Sequence, residues 1–274
     1  MKVTVLGSGS VGNSLVVESD GVAVLVDAGF SGKDLERRMR EVEIDPASLA
    51  ALVITHDHGD HTRGMGVIAR RFNIPVYLTD KTRIACASLL NGSEDLHSYS
   101  ACDPFRIGPF EVQPFLTVHD AADPVAVTIT HLENGCKMGI ATDLGRPTAA
   151  VRSRLADSHV LVLEANHDEA LLWNGPYPWS VKQRIASSHG HLSNNASGEL
   201  VRDLHHNGLV SVVLAHLSES CNYPDLAHEV IGTALERERY RGSLTVAPQD
   251  RPLEPIDVLA LRRRNGCVTQ LSLL

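Results

Sequence analysis

The chain is predicted to be an α/β (α+β) protein, a four-layer αββα sandwich, and three observations predict it. Apolar segments of strand length, rich in Val, Leu and Ile, recur between residues 2 and 246. Many neighbours among them are joined by short turns, whereas a doubly wound parallel sheet needs a long crossover between strands. Helix-patterned segments accompany both β-rich halves, so each half has helices to cover one sheet face. No Gly/Ser-rich or Pro-rich linker, repeat or low-complexity block interrupts the chain, and one domain over residues 1–274 is expected.

The elements follow in order. Residues 2–6, 14–18 and 22–27 read as strands, with Ser19-Asp20-Gly21 as the turn between the second and third. Ser31 can cap a helix reaching about residue 41. A strand at 49–54 leads into a His-rich loop, and a helix across 64–72 follows. A short strand at 75–78 precedes Asp80, which can cap a helix to about residue 90. Strands dominate residues 105–142, at 110–118, 125–130 and 137–142. Helices then alternate with strands at 159–164, 209–214 and 244–246.

Gly7-Ser8-Gly9-Ser10-Val11-Gly12 matches a dinucleotide-binding fingerprint letter for letter. That site needs a helix next, whose N-terminus meets the pyrophosphate. Here a hairpin follows instead, so the glycines are assigned to a tight loop and nucleotide binding is not expected.

A hydrophobic share of 43% suffices for a full core, built mostly from aliphatic residues because aromatics make up only 4%. Cys86, Cys102, Cys136, Cys221 and Cys267 are odd in number and widely spread, without a Cys-x-x-Cys pair. Reduced thiols in a cytoplasmic protein are therefore expected. The N-terminal apolar stretch meets Gly7 too soon for a signal peptide, and no segment has membrane-spanning length. A net charge of −8 gives no global attraction to nucleic acid. The clusters Arg37, Arg38, Arg40 and Arg262 to Arg264 read as solvated helix surface.

The chemistry lies in Thr55-His56-Asp57-His58-Gly59-Asp60-His61, directly after an apolar strand. His56, His58, Asp60 and His61 are potential metal ligands within six residues. A divalent cation offsets the cost of packing and desolvating such groups by taking neutral imidazole nitrogen and carboxylate oxygen as ligands. Five more polar residues close apolar strands: Asp27, His119, Asp143, Glu164 and His216. Groups held at strand ends by a rigid sheet are how a scaffold fixes metal geometry.

In order and type these residues resemble the metallo-β-lactamase superfamily, and the match spans nearly the whole chain. The resemblance implies one metal on His56, His58 and His119, a second on Asp60, His61 and His216, and Asp143 between them. Asp27 would orient ligands from just outside. The bridging position is Asp and not Cys, which disfavours a thiolate-containing lactamase site. Gly7 to Asn13, Ala141-Thr142-Asp143-Leu144-Gly145, Glu164 to Asp168 and Gly190-His191-Leu192-Ser193-Asn194 are similar to stretches of the WalJ (YycJ-like) family, 5′-to-3′ exonucleases acting on DNA. The spacing of Glu164, His191 and His216 also resembles ribonuclease Z.

These likenesses imply Asp60, Glu164 and His191 as catalytic residues, with His191 a proton donor held by Glu164. Asp143 follows His119 by only 24 positions, which leaves no room for the tRNA-clamping arm of ribonuclease Z. DNA is therefore expected ahead of RNA. Two divalent ions, zinc or manganese, are the implied cofactors, and no membrane partner is expected. A hydrolase of a cyclic phosphodiester, thioester or lactone on the same site is the alternative, and an interaction module with structural metals the third reading. His167 is left between a structural and a substrate-contacting role, and His205 and His206 are assigned to the surface.

Overall fold

The computed structural model describes residues 1–266. Strands β1 (Lys2–Gly7), β2 (Ser14–Ser19) and β3 (Val22–Val26) form an antiparallel meander. Helix α1 (Gly32–Glu41) starts at Ser31, whose hydroxyl accepts from Asp34 N. Strand β4 (Leu49–Val53) then joins β3 in parallel. After α2 (Gly59–Thr62) and α3 (Met65–Phe72) come β5 (Val76–Leu78), α4 (Asp80–Ala85) and β6 (Leu96–Ser98).

The second half opens with the antiparallel run β7 (Phe105–Ile107), β8 (Phe110–Leu116), β9 (Val125–His131) and β10 (Lys137–Ala141). Helix α5 (Ala149–Leu155) leads to β11 (Val160–Glu164), followed by α6 (Glu169–Asn174), α7 (Trp179–Ile185) and α8 (Asn194–Leu204). Strand β12 (Ser211–Ala215), α9 (Pro224–Arg237), β13 (Ser243–Val246), β14 (Ile256–Asp257) and α10 (Val258–Arg264) complete the described chain.

The strands make two seven-stranded sheets, ordered β14-β1-β2-β3-β4-β5-β6 and β13-β12-β11-β10-β9-β8-β7. Period-two alternation explains the layering. In β3, Val24 and Val26 enter the apolar layer between the sheets, while Ala23 and Leu25 pack beneath α1 and α3 with Leu35, Met39 and Ile68. In β11, Val160 and Val162 face the other sheet, while Leu161 and Leu163 meet Leu200 of α8 and Ile231 of α9. Three apolar layers thus bind four structural layers, the expected αββα sandwich. Leu161 is fully buried, so truncating it to Ala costs about 2–5 kcal/mol.

Several local expectations are corrected. Helix α4 is capped by Thr79 rather than Asp80: Thr79 has the extended backbone a cap requires and its hydroxyl accepts from Thr82 N. Asp80 takes the first helical position, where its charge favours the helix dipole. The helix ends at Ala85, and a 3-10 turn covers Ala87–Leu89. Arg37 and Arg40 are exposed as expected, but Arg38 is buried. Its guanidinium donates to Leu6 O at 2.8 Å, pairs with Asp34 and lies 3.8 Å over the Phe30 ring. Arg262 is buried too, donating to Asn134 O at 3.2 Å. Both long side chains trade solvent for fixed carbonyl acceptors. His205 and His206 are half-buried. Cys86, Cys102, Cys136 and Cys221 are free thiols, and Cys267 lies outside the described residues.

Candidate metal centre

The strand ends singled out in the sequence converge on one edge of the sandwich. Parallel pairing of β3 with β4, and of β10, β11 and β12 with one another, aligns their carboxyl ends. Asp27, Asp143 and His216, each just past a strand, take φ values of 58°, 56° and 56°. This left-handed backbone costs a residue other than glycine on the order of 1 kcal/mol, and strain of this kind gathers at functional sites.

The partners of each histidine fix which nitrogen carries its proton. Asp27 accepts from Thr55 N and Thr55 Oγ1 at 2.8 Å and from His61 Nδ1 at 2.7 Å. With its own proton given to Asp27, Thr55 Oγ1 can only accept from His56 Nδ1, 3.0 Å away. One buried carboxylate thereby keeps the proton off Nε2 of both His56 and His61, and the His61 Nε2 lone pair lies 3.1 Å from the Asn13 amide nitrogen. His119 Nδ1 donates to Gly190 O at 3.1 Å and His58 Nε2 to Asp120 O at 3.2 Å, which frees His119 Nε2 and His58 Nδ1.

The freed atoms face one another. His58 Nδ1 and His119 Nε2 are 3.3 Å apart, and His119 Nε2 is 3.5 Å from Asp143 Oδ1. Across the site His216 Nε2 is 3.3 Å and His61 Nε2 3.5 Å from Asp60 Oδ2. Two ligands on a tetrahedral ion with bonds of roughly 2.0–2.1 Å lie about 3.4 Å apart, so these spacings suit a shared cation. Asp143 turns Oδ1 toward His119 and Oδ2 toward His61, at 3.0 Å from its Nε2, the arrangement a bridging carboxylate needs. His56 Nε2 and Asp143 Oδ2 are buried without a hydrogen-bond partner among the described residues. A buried lone pair facing another lone pair is costly unless a proton or a cation lies between them. The groups His56/His58/His119/Asp143 and Asp60/His61/His216 could each hold a metal ion.

Glu164 organises the rest. Fully buried at the end of β11, its Oε1 accepts from His191 Nδ1 and His216 Nδ1 at 2.8 Å and from Asp143 N at 3.2 Å. Oε2 accepts from Leu144 N and Leu192 N at 3.0 and 2.8 Å. Burial alone would raise its pKa, but His191 and His216 outweigh burial and hold it at about 2. Burial would depress His191 and His216, yet Glu164 raises His191, while Asp143, Asp60 and Glu164 push His216 up to about 10. His56 is driven well below the usual imidazole range by burial and by the charge of His61. Asp143 falls well below the carboxylate range because His216 and His61 overcome its burial.

Sequence reasoning missed part of the frame. Asn13 Nδ2 donates to Asp60 Oδ2 at 3.1 Å, and its Oδ1 accepts from Ser8 Oγ, which in turn accepts from His216 N. The loop after β1 thus ties Asp60 to His216, and the Gly-x-Gly-x-x-Gly string was its visible trace. Thr55 and Asn166, which donates to His216 O at 2.9 Å, were missed as well. Gly29 is obligatory here, since a Cβ would sit 1.7 Å from Asp60 O. His167 is buried and bridges to Ser193. A cavity of about 190 Å³ opens on the site, lined by His58, Asp60, Asp143, His191 and His216 together with Tyr177 and Arg184.

The family model described as Beta-lactamase superfamily domain matches residues 23–217. The chain belongs to the metallo-β-lactamase superfamily. It is a metal-dependent hydrolase of that superfamily, 34% identical over 239 residues to exodeoxyribonuclease YycJ of Bacillus anthracis, covering 86% of this chain and 90% of that one. It is 33% identical over 231 residues to exodeoxyribonuclease WalJ of Streptococcus pneumoniae, covering 83% and 85%. The fold is shared with the metallo-β-lactamase fold protein YhfI from Bacillus subtilis, at a TM-score of 0.71 and 19% identity over 92% of this chain and 99% of that one. No helix among the described residues is long and apolar enough to cross a membrane.

Proposed function

We propose that this superfamily hydrolase is a DNA exonuclease acting in the 5′-to-3′ direction with two divalent ions, zinc or manganese. His56, His58 and His119 would hold one ion, Asp60, His61 and His216 the other, and Asp143 would bridge them. Bound there, such ions lower the pKa of water and neutralise charge growing on phosphoryl oxygens.

The observation that carries the reading is the shared grip of Glu164 on His216 and His191, both at 2.8 Å. Phosphodiester cleavage expels an alkoxide, which needs a proton; a thioester's thiolate does not. His191 lines the cavity, and Glu164 raises its pKa against the effect of burial, so it keeps a proton to give. Relatives named as exodeoxyribonucleases, matched over more than four-fifths of both chains, support DNA as the polymer. A small-molecule hydrolase has less support, because a cavity of about 190 Å³ falls below the roughly 300–1,000 Å³ of pockets that enclose small ligands.

The test is duplex DNA labelled at either end and incubated with manganese-loaded protein. Progressive loss from the 5′ end, abolished in Asp143→Ala, is the expected result. No digestion of any DNA or RNA by metal-loaded wild type overturns the reading.

A further inference from the structure

The only two tryptophans of the chain, Trp173 and Trp179, are both exposed and touch each other. Their ring centroids are 5.2 Å apart with a 41° tilt, and 41% and 65% of their surfaces face solvent. Tryptophan is strongly buried on average, and aromatics are only 4% of this chain, so placing both on the surface adds nothing to the core. They close the two ends of the α6–α7 connection, in which Pro176 and Pro178 flank Tyr177 and restrict the backbone.

The same segment forms part of the site. Tyr177, Arg184 and Ile185 line the cavity of the metal centre. Trp179 is two residues from Tyr177, so their Cα atoms lie within about 7 Å. Lys182, one turn from Trp179, anchors its ammonium on Trp173 O at 2.8 Å, and the exposed Arg184 pairs with Asp120 beside His119. Flat apolar rings flanked by cations, leading into a hydrolytic site, match the requirements of unpaired nucleobases joined by phosphates. The cations also supply local attraction on a chain of net charge −8.

We propose that Trp173 and Trp179 form a stacking platform for unpaired bases of the DNA strand whose end enters the site, with Lys182 and Arg184 along its phosphates. The identity of the polymer rests on the nuclease reading above. The platform predicts a preference for frayed or single-stranded ends over blunt duplex ends, because paired bases cannot present their faces.

Tryptophan fluorescence, excited at wavelengths that tyrosine does not absorb, reports this patch alone, since the chain has no other tryptophan. Metal-loaded protein is titrated with phosphorothioate-linked oligo(dT), which resists cleavage, and with an abasic strand of equal length and charge. Quenching by oligo(dT) and not by the abasic strand is expected. Trp179→Ala should raise KM on single-stranded ends roughly tenfold with kcat little changed, and Trp179→Phe should restore most of it. Equal quenching by the abasic strand, or an unchanged KM in the Trp173→Ala/Trp179→Ala double variant, overturns the platform. A double variant that turns a dimer into a monomer at unchanged KM makes the patch a subunit contact instead. Base-dependent quenching without cleavage keeps the platform and removes the nuclease reading; cleavage with unchanged KM in the double variant does the reverse.

Discussion

Glu164 Oε1 lies 2.8 Å from His216 Nδ1, on the same oxygen that accepts from His191 Nδ1. One carboxylate therefore orients both the histidine assigned to the second ion and the histidine assigned to proton donation. The sequence suggested only the second of these links. The two roles are coupled: whatever disturbs Glu164 disturbs metal affinity and proton transfer together.

Glu164→Gln tests this coupling. The amide keeps the shape, but its NH₂ must face either the two imidazole N–H groups or the backbone N–H groups of Leu144 and Leu192, donor against donor. Metal affinity should fall about 10- to 100-fold, the usual effect of losing an outer partner of a ligand, and kcat should fall with it. Metal titration and DNA turnover with the same preparation check this; a variant that keeps either quantity at the wild-type level contradicts the shared grip.

His191→Ala separates proton donation from metal binding. Turnover of DNA should drop about 10²–10⁴-fold with metal content unchanged. A p-nitrophenyl phosphodiester has a leaving group that needs no proton, so its loss should be far smaller. Burial lowers the His191 pKa but Glu164 outweighs it, so the group titrates above the ordinary imidazole range. The wild type therefore stays active near neutrality and loses activity as pH rises through that raised pKa, and this alkaline limb should vanish in the variant. Equal losses on the two substrates would remove His191 from the acid role.

The layers and the ligand-bearing loops were legible because both are written in local patterns. Alternation of Val and Leu in β3 and β11 announces two-sided burial, and His or Asp after an apolar run announces a strand end. Long-range pairing leaves no such trace. Nothing around Arg38 signals that Leu6 O and Phe30, some 30 and 8 positions earlier, will take it out of solvent. The Thr79 cap lies one residue before the position the sequence favours, because Thr and Asp are both good caps and adjacent. Asn13 reads in the sequence only as the end of a glycine motif, since its contact with Asp60 spans 47 positions.

Asn13→Ala should weaken one side of the centre selectively. The amide holds Asp60 Oδ2 at 3.1 Å and anchors Ser8, which accepts from His216 N. His56, His58 and His119 have no bond to it. Metal analysis after dialysis should show one ion lost while the other persists. Loss of both ions together, or of neither, contradicts the division into two groups.

Removing the metals should make stability fall as pH rises. Burial lowers the pKa values of His61 and His216, but Asp143 and their other carboxylate partners raise both above 6.5, His216 to about 10. In chelated protein the fold then binds more protons than the unfolded chain between pH 6.5 and about 10. The stability these protons contribute is complete below pH 6.5 and is lost as pH climbs through the folded pKa values. Glu164 acts at the other end: held at about 2, below the 4.5 of a free glutamate, it stabilises above pH 4.5, and that contribution disappears as pH falls toward 2. His56 and His119, both lowered chiefly by burial, likewise favour the fold only above the ordinary imidazole range. Metal-loaded protein reverses the alkaline trend, because ions compete with these same protons and bind more tightly as the ligands lose them. The difference in Tm between loaded and chelated protein should therefore widen steadily from about pH 6.5 to 9, as thermal unfolding with and without chelator will read. A difference that stays constant would mean that no proton takes the place of the cation between Asp143 and His61.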